Sequence, residues 1–181
     1  MNNITFITGN NDKLREVERI LGPVDHVNYD LQEVQGNPEF IVKTKCLEAF
    51  KILKTPVLIE DTSLCFNALS NSKVVLPGPY IKWFQKLGLN TIVQLLDNFQ
   101  DKTAYDLCIY AYCEIEDEVQ LFIGKTSGKI TSPRGNNGMG WDSIFQPDTC
   151  ELTYAEMTNI EKDKYSSRSK ALQSFYVNTL R

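Results

Sequence analysis

The chain has 181 residues, 42% of them hydrophobic, which suits one globular domain with a single sizeable core in one or two lobes. Nineteen Lys plus Arg against 23 Asp plus Glu leave a net charge of −4, which excludes a protein held along nucleic acid by bulk charge and makes any phosphate binding local. No apolar run approaches the ~20 residues of a membrane span and no basic-then-apolar leader opens the sequence, so a soluble, cytoplasmic protein without membrane or nucleic-acid partners is expected.

Five cysteines with no Cys-x-x-Cys pair and one histidine, His26, give little support to zinc or Ser-His-Asp chemistry. Residues 4–7, Ile-Thr-Phe-Ile, predict a strand that runs into the polar turn Thr8-Gly9-Asn10-Asn11-Asp12-Lys13. Asn11 or Asp12 is suited to cap a helix bearing Leu14, Val17 and Leu21 on one face, stopped by Gly22-Pro23. Such a turn aims backbone N–H groups outward and Lys13 adds charge to them, so the segment reads as an ordinary βα turn or as an anion site. Residues 24–34 predict a second strand with Glu33 near its end. Asn37-Pro38 then opens a helix over residues 38–53 whose buried stripe is Val42, Cys46, Ala49, Phe50 and Leu53. Lys45 flanks that stripe and either reaches over the sheet edge or extends to water.

Residues 55–59, Thr-Pro-Val-Leu-Ile, predict a short buried strand that ends in Glu60-Asp61 before the chain turns. Acids at a buried strand end are solvated turn residues, or they have a metal, a cation or a base role. Ser70–Lys73 is a polar loop. A helix over residues 80–87 carries Lys82 and is ended by Gly88, and Asn90 is placed to cap another over residues 91–99. Residues 103–114 and 119–125 alternate around the acidic turn Glu116-Asp117-Glu118 and predict an antiparallel hairpin. Gly124-Lys125-Thr126 is not a P-loop, because Val119 stands where the earlier glycine is required.

Residues 131–142 hold three glycines, Pro133, Arg134, Trp141 and Asp142, a composition for a shaped ligand loop or for a surface loop with a packed indole. Lys162 follows in a charged stretch, and a helix from Arg168 carries Ala171, Leu172 and Phe175. A cation in a first helical turn opposes the macrodipole, so Arg168 needs an acidic partner or an anion. Together these give three carboxylates (Glu33, Glu60, Asp61) and several cations. Hard oxygen donors favour Mg²⁺ or Mn²⁺, the cations suit a polyphosphate, and no nucleophilic side chain is offered.

The blocks Thr8-Gly9-Asn10-x-x-Lys13, Glu60-Asp61-Thr62, Phe66-Asn67-Ala68-Leu69, Pro77-Gly78-Pro79-Tyr80-Ile81-Lys82-Trp83-Phe84, Ser132-Pro133-Arg134-Gly135, Gly140-Trp141-Asp142 and Thr153-Tyr154-Ala155-Glu156-Met157 occur in one order over nearly the whole chain. In this the sequence resembles the inosine triphosphate pyrophosphatase (HAM1-like) family, its eukaryotic branch in particular. The resemblance implies an α/β fold with a long curved mixed sheet flanked by helices, two lobes with a central cleft, and a homodimer. It also implies hydrolysis of ITP, dITP and XTP to the monophosphate and pyrophosphate with Mg²⁺. By the same resemblance Thr8, Gly9, Asn10 and Lys13 bind the triphosphate, Glu33 and Asp61 the metal, with Glu60 beside them, and Lys45, Thr62 and Lys82 phosphate or sugar. Met139, Gly140, Trp141, Asp142, Lys162, Ser167 and Arg168 fall at the base-recognition positions. The base among the acids stays open, Asp61 being the first choice. The chain departs from the family in Met139, where Phe is common, in Ser167, where Ser-His-Arg is common, and in a longer stretch before Pro77.

Overall fold

The computed structural model describes residues 4–180. Its centre is a mixed seven-stranded sheet with strand order β2-β1-β3-β5-β6-β7 and β4 paired to β3 off that path. The strands are β1 (Thr5–Ile7), β2 (Asp25–Val27), β3 (Val57–Phe66), β4 (Pro77–Gly78), β5 (Thr103–Ile115), β6 (Glu118–Ile130) and β7 (Phe145–Pro147). The helices are α1 (Asn11–Leu21), α2 (Pro38–Leu53), α3 (Ile81–Phe84), α4 (Leu89–Gln94), α5 (Asn159–Asp163) and α6 (Ser167–Phe175). β1 pairs parallel with β2 and β3, whereas β3–β4 and β6–β7 are antiparallel. The α/β class with a mixed sheet and flanking helices is therefore as the sequence implied.

The chain forms two compact units, each discontinuous in sequence. The first comprises residues 4–61, 108–124 and 170–180, the second residues 62–107 and 125–169. Within the first, Phe6, Val17, Leu58, Tyr110, Leu172 and Phe175 form the centre of the core. Phe175 meets Tyr112 at a tilt and Phe122 edge-on, with centroids 5.5 and 5.2 Å apart. Within the second, Leu64, Phe66, Ile92, Ile144, Phe145 and Tyr154 are buried together with Trp141.

Several local expectations are corrected. Asn10, one residue earlier than expected, caps α1, its Oδ1 accepting from the N–H groups of Asp12 and Lys13 at 2.8 and 3.3 Å. The expected strand over residues 24–34 stops at Val27, and residues 28–37 are irregular, so Glu33 sits in a loop. β3 does not end at Glu60; it runs ten residues, Val57–Phe66, with β5 beside it in the sheet and β4 paired to its far end through Leu64↔Gly78. α4 starts at Leu89 behind Gly88 and ends at Gln94, so Asn90 is inside it and does not cap it. β6 runs past Lys125 to Ile130, its glycine at 128 meeting the β7 backbone so closely that an added Cβ would lie 2.3 Å from the Gln146 carbonyl. The Asn37 cap and Pro38 start of α2 stand as read, Oδ1 of Asn37 accepting from Phe40 N–H at 2.8 Å.

Candidate active site

In the first unit the carboxylates and lysines converge. α1 begins at the end of β1 and brings Lys13 to Glu60, Nζ to Oε2 2.6 Å, with the Glu60 side chain only 1% exposed. The Cys108 thiol donates to Glu60 Oε1 at 3.3 Å. Lys45, which flanks the α2 stripe, does not extend to water but is itself buried, and Nζ stands 3.4 Å from Glu33 Oε1 and 3.4 Å from Asp61 Oδ2. The irregular segment after β2 thus serves to lay Glu33 against α2. Successive residues of a strand point to opposite faces; Lys13 forms its 2.6 Å pair with Glu60, and Lys45 stands 3.4 Å from Asp61.

Burial is the largest influence on the Asp61 carboxyl and pushes it above the usual carboxylate range. Lys13 and Lys45 draw it down, and the neighbouring Glu60 and Glu33 push it further up. A carboxyl held between desolvation and two ammonium groups is responsive to any cation or phosphate that changes the local charge. Beside the cluster, Thr8 Oγ1 accepts from Asn10 N–H at 3.1 Å and His26 Nε2 meets the Thr8 carbonyl at 2.8 Å, which fixes the turn that carries Gly9.

Among the described residues no three or more acidic, His or Cys side chains are already gathered as a metal cage. The donor set nevertheless suits a hard cation. Glu33 and Asp61 converge on one ammonium, so a positive charge is already accommodated between two carboxylates, and Mg²⁺ is commonly held by one or two carboxylates with the remaining positions on water and phosphate.

The second unit gathers most of the expected base-recognition residues. Asp142 Oδ2 accepts from Lys162 Nζ at 2.7 Å and from the Met139 N–H at 2.7 Å, with both charged side chains buried. The loop is shaped by glycines: at Gly138, φ 81°, an added Cβ would lie 2.3 Å from Asp142 Oδ2, and at Gly140, φ 58°, 2.8 Å from the Gln85 amide nitrogen. Trp141 is 8% exposed and packs in an aromatic cluster with Phe145 and Tyr154, centroids 5.8 and 6.2 Å away. Arg168 Nη2 donates to Thr62 Oγ1 at 3.1 Å. Ser167 is 1% exposed, so its hydroxyl lies inside and not on an open wall. Lys82, on α3, is exposed and belongs to the second unit.

Two residues of these clusters escaped sequence reasoning. Cys108 reads as a core thiol and nothing in its neighbours announces Glu60. Asp106, 2% exposed, accepts from Tyr154 O–H and Ser167 N–H, both at 3.2 Å. Its signal was present: it is the sole acid in the alternating run from Thr103 to Cys113 and falls on the same face as the buried Ala104 and Cys108.

An open mixed sheet with helices on its faces and acids on a central strand defines an α/β protein of the Ham1 fold. A HAM1 protein from Coxiella burnetii superposes with a TM-score of 0.86 at 24% identity, covering 98% of each chain. The chain belongs to the Ham1 family, whose pattern matches residues 4–177. It is 46% identical over 176 residues to inosine triphosphate pyrophosphatase 2 of Trypanosoma cruzi, covering 93% of this chain and 88% of that one. Inosine triphosphate pyrophosphatase 1 of the same organism matches to the same extent. The HAM1-like resemblance read from the sequence blocks is thereby established as family membership.

Proposed function

We propose that the chain hydrolyses non-canonical purine nucleoside triphosphates, ITP, dITP and XTP, to the nucleoside monophosphate and pyrophosphate. Similarity to the two T. cruzi inosine triphosphate pyrophosphatases supports the substrate class. The observation that carries the chemistry is the convergence of Glu33, Asp61 and Glu60 on Lys45 and Lys13. It supplies hard oxygen donors, a proton acceptor and two phosphate-seeking cations.

Glu33 and Asp61 are the residues that would hold a divalent cation, Mg²⁺ in our reading, with Mn²⁺ as its substitute. When bound, that ion neutralises phosphate oxygens and acidifies a water. The Asp61 carboxylate takes the proton of the attacking water as the oxygen–phosphorus bond forms, and the α–β phosphoanhydride breaks with pyrophosphate leaving. Lys13 and Lys45 offset the charge of the triphosphate, Thr8, Gly9 and Asn10 present the turn at the start of α1, and Thr62 and Lys82 touch phosphate or sugar. Glu60 keeps Lys13 in place. Asp142, Lys162, Arg168 and the loop through Met139, Gly140 and Trp141 receive the base, where donors aimed at a 6-oxo oxygen favour inosine and xanthosine over adenosine. No described helix is long and apolar enough to cross a membrane; a cytoplasmic homodimer is our reading of assembly and place.

Incubation with ITP, XTP, dITP and the common triphosphates plus Mg²⁺, followed by separate assay of pyrophosphate and orthophosphate, tests the reading. Pyrophosphate release fastest from the 6-oxo purines is expected. Orthophosphate alone, preference for pyrimidines, or binding without turnover would each refute it.

A further inference from the structure

Arg168 stands in the first turn of α6, where the macrodipole repels a cation. The structure supplies the acid it needs, and from a distant part of the chain. Asp106, on β5, puts Oδ2 within 3.2 Å of the Ser167 N–H, the first amide of α6, and within 3.2 Å of the Tyr154 hydroxyl. A carboxylate accepting from the first N–H of a helix satisfies an orphan donor and places negative charge at the positive end of the dipole. The far end of Arg168 is held separately, by Thr62 Oγ1 at 3.1 Å.

We propose that Asp106 is a positioning residue for specificity: a buried carboxylate that fixes the start of α6 and so aims Arg168 at the purine base. This rests on the substrate reading above and adds a residue to it.

The groups that face Asp106 are Ser167 and Arg168 from α6, Lys162 from α5, Tyr154 from the turn before it, and Cys65 from β3. Burial, the largest influence, pushes the carboxyl up to about 6, while the Ser167 hydroxyl and N–H, Arg168 and Lys162 draw it down. Cys65, its thiol pushed up to about 11 chiefly by burial, and Tyr154, also pushed up, stay neutral at physiological pH and do not compete. The charge that offsets Arg168 is therefore present above about pH 6 and lost as pH falls through it. For folding the sign is opposite. An acid whose native value lies above its unfolded one binds more protons when folded, so this group favours folding most at low pH and that contribution declines as pH rises towards 6.

The test compares wild type, Asp106→Asn and Asp106→Ala. For Asp106→Asn, which keeps an acceptor but no charge, KM for ITP at pH 7.5 is expected to rise about tenfold with kcat within about threefold, and the preference for ITP over ATP to shrink. Asp106→Ala should be worse on both counts. The wild-type KM should rise as pH is lowered through about 6, and that rise should be missing from Asp106→Asn, which controls for titration of the nucleotide itself. Amide exchange of residues 166–170 should quicken in both variants, a readout that needs no substrate. Unchanged KM, selectivity and exchange in Asp106→Asn, or a wild-type pH profile retained by it, overturns the role of Asp106. If neither variant folds, a wild-type KM flat between pH 5 and 7 overturns it. Wild type that releases no pyrophosphate from ITP sinks the substrate reading instead, and exchange then still decides whether Asp106 holds α6.

Discussion

Replacing Asp61 by Asn separates chemistry from folding. Oδ2 of Asp61 lies 3.4 Å from Lys45 Nζ, and the side chain keeps 18% of its surface exposed. Losing one charged contact at that distance costs about 1 kcal/mol. The amide also removes a carboxyl that burial already penalises, and Glu33 remains beside Lys45. For a domain of this size about 1 kcal/mol moves the melting temperature by about 2–4 °C. The rate should behave otherwise. Removing a general base typically costs about 10²–10⁴-fold, or about 3–5 kcal/mol of barrier at 1.36 kcal/mol per decade, before any loss at the metal. Pyrophosphate release from ITP with Mg²⁺, thermal melting, and Mn²⁺ affinity without nucleotide should therefore show kcat down at least a hundredfold, a shift of no more than about 4 °C, and weaker metal binding. A folded variant that releases pyrophosphate within tenfold of wild type would refute the role of Asp61.

Lys162→Met should lower stability by about 3–5 kcal/mol in urea unfolding, because it strands Asp142 in the interior, and Lys162→Met with Asp142→Asn should recover much of the loss; equal stability of the single variant would deny the pair its role. Lys13→Met and Lys45→Met should both weaken nucleotide binding about tenfold or more in titration calorimetry. They should differ in melting, since Lys13→Met leaves Glu60 buried without its 2.6 Å partner at a cost of about 1–3 kcal/mol, whereas the exposed part of the Lys45 cluster relaxes. Met139→Phe should widen the kcat/KM margin of ITP over ATP, measured side by side, if this position packs on the base. Ser167→His must fit an imidazole where the serine is 1% exposed, so it should cost about 1–3 kcal/mol in denaturant unfolding, and an undiminished stability would place the residue on an open wall.

What the sequence made legible were features written in local chemistry. The Asn37-Pro38 start of α2, the Gly22 stop of α1 and the alternation of β5 need only near neighbours to form. What it hid depends on partners far along the chain. The continuation of β3 past two acids depends on the strands beside it, β5 and the short β4 at Leu64↔Gly78, whereas the composition of β3 alone reads as a strand end. The loss of the predicted strand after Val27 has the same origin, since β1 pairs Thr5–Ile7 with Asp25–Val27 and residues 28–34 have no strand partner among the described residues. The site was legible as a list of acids and bases and not as a set of pairs. Lys45 reads as a flank of its helix until Glu33 arrives from a loop, and Asp106 is overlooked among the tyrosines of β5 because its partner lies 61 residues on.

The same long-range pairing divides the labour between the two adjacent acids. Had the chain turned at Glu60, both carboxylates would lie in one polar turn and either could meet water. Because β3 runs straight through them, the pleat sends them to opposite faces. Glu60 is left 1% exposed and clamped by Lys13 and Cys108, while Asp61 keeps 18% exposure beside Lys45 and Glu33. A proton acceptor must reach water, and Glu60 would have to abandon an ammonium 2.6 Å away in a dry setting to do so. Asp61 gives up far less. The unbroken run of β3 through both acids thus bears on the chemistry: its pleat makes one acid a support for a phosphate-seeking lysine and leaves the other open to act on water.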